Sequence, residues 1–414
     1  MDHGPHASHD GLGDLGVQAH CQRVAAWSSE LAGALGLSPP ERRLVEQAAL
    51  WHHFSRIILS DTSRHRLVQD LKLEEKVGQS VFPEQVAQLL RAFWGNQAAS
   101  DASIAKLAAV LEMCDDFDQF FEAEPLADFE PADQSVNPSV ETLFSYLQVT
   151  SRADVSRVID HLPVFPRAAQ EVVKCVSNRE LSVRELEKAA LLDPVMSGLL
   201  IQTANSSYYS PRSSIGSVRH AISYMGVEAT RKVLLAATFR SNFASMRMHQ
   251  LWNHSLDVAQ NAERLAMHSG MPLDPSEAFL AGLVHDVGRL AFSIMPAAFL
   301  ERFYRLTDRG CPAVEVEICL SGICHGEVGA QTLAQWKFPG ELVEAVRWHH
   351  RPERSPSTIA SLLYLAEVTS ESEEDLPSAI RMRTACRLAS IDPEALADLD
   401  SEQEGYLETL RFAA

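Results

Sequence analysis

Apolar residues recur along this chain at intervals of three and four, which places them on one face of an α-helix. No segment shows the strict alternation that is typical of a half-buried strand. Capping residues mark several helix starts: Ser182 and Glu185 form a capping box. Asp193 and Asp274 each precede a proline at the predicted first helical position. The pattern therefore predicts an all-α fold.

Two interruptions of this pattern divide the chain. The stretch from Glu122 to Pro138 combines three prolines with many acidic residues, which indicates a linker. A second acidic stretch runs from Glu371 to Asp375. The predicted order is a flexible tail (1–16), a helical domain (17–121), a linker (122–150), a second helical domain (151–370) that consists of a lead-in (151–245) and a core (246–370), and a helical appendage (371–414).

Composition and charge narrow the class of protein. The 414 residues are 46% apolar and 22% charged, which is ordinary for a globular protein of two or three domains. A net charge of −19 would repel nucleic acid and acidic membrane surfaces, so we expect neither as a partner. Seven cysteines without a C-x-x-C motif favour a reducing compartment. No apolar run approaches the roughly 18 residues of a membrane span, and a cytoplasmic location is expected.

The two halves of the chain repeat one arrangement of histidines. In the first half, the pair His52-His53 begins 32 residues after His20. In the second half, the pair His285-Asp286 begins 31 residues after His254. Two helices that meet at one point and carry a histidine each would explain this agreement.

The second half holds further candidate metal ligands in the same predicted helical setting. The full set is His254, His285, Asp286, His325, His349, His350 and Glu367. Imidazole and carboxylate suit iron, manganese, zinc or nickel, among which this pattern does not distinguish. The apolar flanks of Asp286 make an unpaired carboxylate costly there. We therefore expect one or two divalent ions.

The pattern allows two shells. A carboxylate oxygen of Asp286 would bridge two ions, with His254 and Glu367 completing one shell and His325 with His349 or His350 forming the other. Such a pair of ions would activate water for phosphoester hydrolysis. Alone, each residue has a structural explanation: a helix-start histidine, a surface pair at a helix end, or a solvated glutamate ahead of an acidic stretch. Together and in this order they favour a metal site.

This ordered set resembles the HD phosphohydrolase superfamily, and more closely its HDOD branch, over about Val155 to Pro352. The matching motifs include Leu162 to Pro166, Asp193-Pro194, Ala204 to Ser206, Tyr224 to Gly226, Trp252 to Ser255, Ala281 to Leu290, Cys324 to Ala330 and Trp348 to Pro352. The resemblance implies a helical lead-in packed on an HD-like helical bundle. It also implies a bacterial signal-output or regulatory module.

Two departures bear on catalysis. The last ligand of the superfamily is usually aspartate, and here the candidate is Glu367. The lysine that follows H-D-x-G in the cyclic di-guanylate phosphodiesterases of the HD-GYP branch is Arg289, and no D-G-x-G-Y-P occurs. Hydrolysis by the route of that branch is therefore disfavoured. If the protein is an enzyme, Asp286 would hold the metals and Arg289 would steady phosphate.

The first half resembles the start of an HD-GYP-type domain more weakly, over about Val17 to Phe121. Its degenerate site comprises His20, His52 and His53, with Asp115 as a carboxylate. Glu112 and Asp116 stay open as alternatives to Asp115. Because His53 occupies the place of the bridging aspartate, a binuclear site is not expected. A role in packing, ligand sensing or dimerisation is predicted, against the alternative of an unrelated helical bundle.

Two functions follow, and a purely structural scaffold is a third. The first is a regulatory module that relays a signal by binding a metal, a nucleotide ligand or a protein partner of a signalling pathway. The alternative is a metal-dependent phosphohydrolase acting on a nucleotide or phosphoester. The ligand inventory suits both, since a metal site is compatible with either role. Whether the chain forms a homodimer stays open.

Overall fold

A computed structural model of the chain describes residues 14–53, 83–93, 101–123, 138–162, 167–176, 182–240, 243, 246–355, 357–370, 379–393, 396, 405 and 407–411. These residues form helices, turns and connecting segments, without a strand among them. The predicted all-α class is confirmed. Within the described ranges, every helix falls short of the length and apolar character that crossing a bilayer requires.

The helices are numbered in chain order over the described ranges. In order they are α1 (Asp14–Ala34), α2 (Pro39–Ala49), α3 (Glu84–Phe93), α4 (Ala102–Ala123), α5 (Pro138–Leu147), α6 (Arg152–Ile159), α7 (Arg167–Val176), α8 (Val183–Ala190), α9 (Pro194–Ala204), α10 (Val218–Met225), α11 (Val227–Arg240), α12 (Met246–His268), α13 (Pro275–Val284), α14 (Arg289–Ser293), α15 (Ala297–Thr307), α16 (Ala313–Ser321), α17 (His325–Gln335), α18 (Gly340–Arg347), α19 (Thr358–Val368) and α20 (Ala379–Ala389). Two short 3-10 turns lie at Pro352–Arg354 and Leu407–Leu410.

The structure divides into two compact units. The first consists of Met1–Arg152 and Pro296–Gly322, and the second of Ala153–Met295 and Ile323–Ala414. This division differs from the predicted domain order, because α15 and α16 belong to the first unit although they lie late in the chain. Sequence periodicity reports which face of a helix is buried and not which partner buries it.

Aromatic packing holds the first unit together. Trp27 of α1 is fully buried and meets Phe117 of α4 edge to face, with ring centroids 5.1 Å apart. Phe144 of α5 also meets Phe117 edge to face, with ring centroids 5.7 Å apart. This packing fixes α1 beside α4, the two helices that carry His20 and Asp115.

In the second unit, the predicted helix starts are confirmed. The Ser182 hydroxyl accepts a hydrogen bond from the Glu185 amide. Asp193 and Asp274 accept from the amides two residues later, at 2.7 and 3.0 Å. Each cap satisfies an amide that lacks an intrahelical partner.

Helices α12 and α13 pack unusually closely. A Cβ added at Gly282 of α13 would lie 2.5 Å from the Cα of Ala259 in α12, so only glycine fits. Helix α19 packs against both. His254 and the turn after α13 are thereby brought to one point.

Two predicted boundaries require correction. The predicted linker (122–150) contains helix α5, whose Leu143, Phe144 and Leu147 are buried because their face packs on α1 and α4. Residues 122–123 of that linker belong to α4, and residues 124–137 lie outside the described residues. The predicted tail (1–16) ends earlier, since α1 begins at Asp14, and residues 1–13 lie outside the described ranges.

The described residues of the predicted appendage (371–414) belong to the second unit. The carbonyl oxygen of Leu410 accepts hydrogen bonds from Trp252 Nε1 at 2.9 Å and from Arg240 Nε at 2.8 Å. Arg411 forms an ion pair with Asp257 of α12. The last described residues therefore brace the helix that carries His254.

Candidate metal centre

Most of the candidate ligands in the second unit lie at helix ends. His254 lies within α12, His325 is the first residue of α17, and Glu367 lies at the end of α19. The pairs His285-Asp286 and His349-His350 lie in turns directly after α13 and α18. The sequence predicts helical segments for both pairs, but α13 and α18 end before these residues.

The helix ends orient these rings. His285 Nδ1 lies 2.7 Å from the carbonyl oxygen of Gly282, and His349 Nδ1 lies 2.6 Å from that of Val346. The last carbonyl groups of a helix have no intrahelical partner, so each accepts the Nδ1–H of the ring that follows. The proton is then on Nδ1, and Nε2 presents its lone pair to the site, as in metal-ligating histidines.

The donor atoms converge as two groups. One atom each from His254, His285 and Glu367 lies within 4.8 Å of the others, and the same holds for His325, His349 and His350. In the second group, His325 Nε2 lies 3.3 Å from His349 Nε2 and 2.8 Å from His350 Nε2. Nitrogen atoms this close need a shared proton or a cation between them.

Asp286 lies between the two groups. Its Oδ1 is 3.1 Å from His325 Nε2, and its Oδ2 is 3.6 Å from His285 Nε2. Arg289 Nε approaches the same Oδ2 at 3.1 Å. One carboxylate thus has an oxygen on each side, which is the arrangement of a bridging ligand.

Burial sets the charge state of this site. It lowers the pKa of His285 to about 4, and it also lowers the pKa values of His254, His349 and His350. Burial alone would raise the pKa of Asp286, but Arg289, His285 and His325 together outweigh it and hold that pKa well below its usual value. Neutral imidazoles beside an ionised carboxylate are the protonation states that a metal ion requires.

The residues fit one or two divalent ions. His285 Nε2 is buried and makes no hydrogen bond, which is costly unless a ligand satisfies it. When bound, such ions supply Lewis acidity and a fixed positive charge. The chain's own contribution is a set of oriented donors with Asp286 between them.

Glu367 is buried, although its place in the sequence is also typical of a solvated glutamate. A glutamate ahead of an acidic stretch is ordinarily solvated, yet Glu367 is 5% exposed and its Oε2 lies 3.5 Å from His350 Nδ1. Helix α19 is apolar on nearly every side, which is typical of a fully buried helix. That signal could have placed Glu367 inside.

The first unit contains a second cluster of candidate ligands. The donor atoms of His20, His52, His53 and Asp115 all lie within 4.8 Å of one another. His20 Nε2 and His52 Nε2 lie 3.0 and 3.2 Å from Asp115 Oδ1. The carboxylate left open by the sequence is therefore Asp115, while Glu112 is exposed and Asp116 lies outside the cluster.

Sequence reasoning missed Asp118. Its Oδ2 lies 2.7 Å from His20 Nδ1, and Arg23 donates to it at 2.8 Å. Asp115 and Asp118 are three residues apart on α4, as His20 and Arg23 are on α1. Residues with that spacing share a helix face, so the pattern could have indicated the pairing.

The two clusters differ in their charge state. Burial lowers the pKa of His20, but hydrogen bonds to Asp115 and Asp118 outweigh it and raise that pKa to about 9. Burial likewise lowers the pKa of His52, and hydrogen bonds to Asp115 and Cys21 raise it to about 10. Without a metal, the first cluster therefore holds protons that the second lacks.

Comparison with known proteins finds a family match for part of the chain. Residues 162–352 match the HDOD domain family. The crystal structure of an HDOD domain protein of unknown function from Geobacter sulfurreducens is 23% identical, with a TM-score of 0.53, and the match covers 63% of this chain and 96% of that one. A crystal structure named as a candidate phosphohydrolase, from Shewanella amazonensis SB2B, is 23% identical with a TM-score of 0.51 over 62% of this chain and 97% of that one.

A curated relative matches over a shorter part of its length. An uncharacterized protein of Treponema pallidum (strain Nichols) is 21% identical over 217 residues, which are 51% of this chain and 42% of that protein. The chain therefore spans less than half of that relative. At these identities the similarities show a shared fold.

Proposed function

Residues 162–352 of this chain form an HDOD domain, and we propose that the protein is a bacterial cytoplasmic regulatory protein that reports the metal occupancy of this domain to a signalling pathway. The candidate ions are held by His254, His285, Asp286, His325, His349, His350 and Glu367. The partner is a protein of that pathway or a nucleotide ligand.

The observation that carries this proposal is that three protein donors converge in each group. The first group has two imidazoles and Glu367, and the second has three imidazoles, with one oxygen of Asp286 near His285 in the first and the other near His325 in the second. With Asp286 as a further ligand, each ion would have four protein donors. Catalytic sites commonly keep a coordination position open for water, whereas sites filled by the protein bind the ion for structure.

The site is also enclosed. His285, His325 and His349 are fully buried, and Asp286 is 1% exposed. The side chains that reach its surface include His254, which is partly exposed, His350, 23% exposed, and Arg289, 29% exposed. A substrate phosphate would have to approach the ions past these groups.

Metal occupancy would act on helix packing. The ligands come from α12, the turn after α13, the start of α17, the turn after α18 and the end of α19. An ion that binds all of them links segments that are far apart in sequence. Loss of the ion would leave buried lone pairs facing one another, which weakens the packing of those segments and changes the surface they present.

Phosphohydrolysis is the second candidate. Arg289 favours it, because its partly exposed guanidinium lies 3.1 Å from Asp286 Oδ2 at the edge of the site. A guanidinium at that position could bind a phosphate oxygen.

Metal content tests the first part of the proposal. Full-length protein is stripped with chelator, incubated separately with iron, manganese, zinc and nickel, desalted, and measured by elemental analysis. We expect His285→Ala and His349→Ala each to lose metal relative to wild type. His268→Ala is the matched control, since this exposed histidine lies on α12 outside the site. Equal metal content in all four proteins would refute the assignment of the ligands.

A phosphoesterase screen separates the two functions. Metal-loaded wild type and Asp286→Ala are compared on nucleotides and generic phosphoesters, with circular dichroism to verify folding. The regulatory proposal expects no hydrolysis by either protein. Hydrolysis by wild type that disappears in a folded Asp286→Ala variant would establish the enzyme instead.

A further inference from the structure

We propose that the first unit binds a single divalent transition-metal ion of its own, through His20, His52, His53 and Asp115. This site lies outside the HDOD domain, and its existence does not depend on the function proposed for that domain. Its donor set is three imidazoles and one carboxylate, which suits a borderline ion such as zinc.

The spacing of the donor atoms matches one tetrahedral ion. With metal–ligand bonds of about 2.0–2.1 Å, neighbouring donors in a tetrahedron lie about 3.3 Å apart. His20 Nε2, His52 Nε2 and Asp115 Oδ1 form a triangle with sides of 3.0, 3.2 and 3.2 Å. His53 Nε2 lies 3.9 Å from Asp115 Oδ1. Three donors are therefore already at the required spacing, and the fourth is close to it.

The Nδ1 atoms of His20 and His52 contact oxygen atoms outside the ligand set. His20 Nδ1 lies 2.7 Å from Asp118 Oδ2, and His52 Nδ1 lies 2.5 Å from the carbonyl oxygen of Ala49. Neither of these oxygens can donate a hydrogen bond, so the protons are on the Nδ1 atoms. Each Nε2 atom then faces the Asp115 oxygen, where either a second ring proton or a metal ion in its place satisfies the contact.

Asp118 completes the outer layer that metal-bound histidines usually have. A carboxylate that accepts the second ring N–H fixes the ring and raises its basicity. Asp118 does this for His20, and Arg23 holds Asp118 in turn through hydrogen bonds of 2.8 and 2.9 Å. His20, Asp115 and Asp118 are each at most 4% exposed, so this layer is built into the core.

His53 determines how many ions bind. An imidazole nitrogen accepts one ion, whereas the aspartate at the corresponding position in the second unit has an oxygen on either side. With His53 as fourth donor, a single ion is enclosed by protein and no position remains for a second. Such a closed site stabilises the fold and does not catalyse.

The consequence is a link between elements. His20 belongs to α1, Asp115 to α4, and His52 and His53 to the turn after α2. The side chain of His53 is 21% exposed, whereas those of the other three ligands are at most 5% exposed. The ion would therefore enter past His53 and fix the turn against both helices.

Cobalt serves as the probe for this site, because tetrahedral Co²⁺ absorbs visible light far more strongly than octahedral Co²⁺. The full-length chain with His285→Ala and His349→Ala, which weakens the HDOD site, is stripped, loaded with Co²⁺ and desalted. We expect one retained ion per chain with tetrahedral absorption. Adding Asp115→Ala should abolish both signals, and Asp116→Ala, the adjacent aspartate on α4, should preserve them.

Folding is controlled separately. If circular dichroism shows that Asp115→Ala loses helical structure, His53→Ala decides, since its partly exposed ring leaves the buried pairs intact. We expect His53→Ala to bind Co²⁺ at least tenfold more weakly. Absence of cobalt from the His285→Ala/His349→Ala chain, or retention that Asp115→Ala and His53→Ala leave unchanged, would overturn the proposal. Neither result would alter the metal analysis of the HDOD site.

Discussion

His52, His285 and His349 share one local arrangement. Each follows the end of a helix and bonds through Nδ1 to the carbonyl oxygen three residues earlier, at 2.5 to 2.7 Å. The helix end gains a partner for an otherwise unpaired carbonyl, and the ring gains a fixed orientation. One hydrogen bond therefore serves both the helix and the site.

Glu367→Gln tests the candidate ligand that stands where the superfamily usually has aspartate. The amide keeps the shape of the side chain but loses the charge that faces His254 and His285. We expect metal affinity of the second unit to fall at least about tenfold, the lower end of what removal of even an outer partner costs. The measurement is a competition titration with a chelator, and Glu353→Gln, an exposed glutamate, is the control. Equal affinities would remove Glu367 from the ligand set.

Asn205 has a larger structural role than the helix cap suggested by its position. Its amide nitrogen donates to the carbonyl oxygens of Ile201 and Ile215, and its Oδ1 accepts from the Ile215 amide, all at 2.8 Å. We predict that Asn205→Ala destabilises the second unit by about 1–3 kcal/mol, the cost of leaving such groups unpaired. Urea unfolding measures this, and Gln202→Ala, an exposed neighbour on α9, should change little. Similar midpoints for the two variants would contradict the prediction.

At the residue scale, the sequence identified the ligand types but not all of their environments. The repeated histidine spacing predicted His20, His52, His254 and His285 as converging groups, because helical periodicity carries that information. The spacing on α4 and the apolar sequence of α19 indicate that Asp118 and Glu367 face inward, but not which histidines they contact. Tertiary packing decides those contacts.

At the scale of elements, close packing of α12 on α13 brings the first donor group together. Gly282→Ala should destabilise the second unit by about 1–3 kcal/mol, because a Cβ only 2.5 Å from the Ala259 Cα forces the helices apart. The metal affinity of the second unit should fall as well, since His254 lies on α12 and His285 directly follows α13. Thermal unfolding and elemental analysis together measure both effects.

Gly198→Ala is the matched control for that substitution. Gly198 lies within α9, and an added Cβ would meet nothing within 4 Å. Replacing a helical glycine by alanine there should stabilise the protein by about 0.5–1 kcal/mol. A loss of stability of similar size in both variants would show that the α12–α13 contact is not special.

Helix starts were predictable and helix ends were not. Ser182, Asp193 and Asp274 predict the starts of their helices, because their side chains cap amides of the first turn. The ends of α13 and α18 have no comparable residue, so the apolar pattern continued into the histidine turns. Those turns are where the ligand pairs lie, and their geometry depends on the helix stopping.

At the scale of the whole molecule, the metal-free protein should respond to pH in opposite ways in its two units. The folded-state pKa values of His20 and His52, about 9 and 10, lie above the ordinary value of 6.5. Their stabilisation is therefore present below pH 6.5 and is lost as pH rises through these values. His285, with a pKa of about 4, gains its proton only on unfolding. The second unit should lose stability as pH falls from 6.5 towards 4.

Hydrogen exchange followed by mass spectrometry measures these responses unit by unit. Protein in chelator is compared between about pH 5 and about pH 9, with protection corrected for the intrinsic exchange rate of each amide. Asp118→Asn is the internal control, because removing that charge lowers the pKa of His20 and should flatten the response of the first unit alone. Protection that changes in the same direction in both units would contradict the prediction.

The two-part helical organisation was predictable, but its borders were only partly so. Proline-rich and acidic stretches indicate where helical periodicity stops, and the stretch from Glu122 to Pro138 is therefore predicted to be a linker. The same criterion cannot assign α15 and α16 to the first unit, because that assignment rests on contacts between segments far apart in sequence. Nor does it reveal that Trp252 Nε1 donates a hydrogen bond to the carbonyl oxygen of Leu410.

Gly288 has a consequence for motion. A Cβ at this position would collide with the carbonyl oxygen of His325, so the backbone of the turn that carries Asp286 rests directly on the start of α17. No side chain separates the two backbones, so a shift of the turn that carries Asp286 would displace the start of α17 and the His325 ring with it.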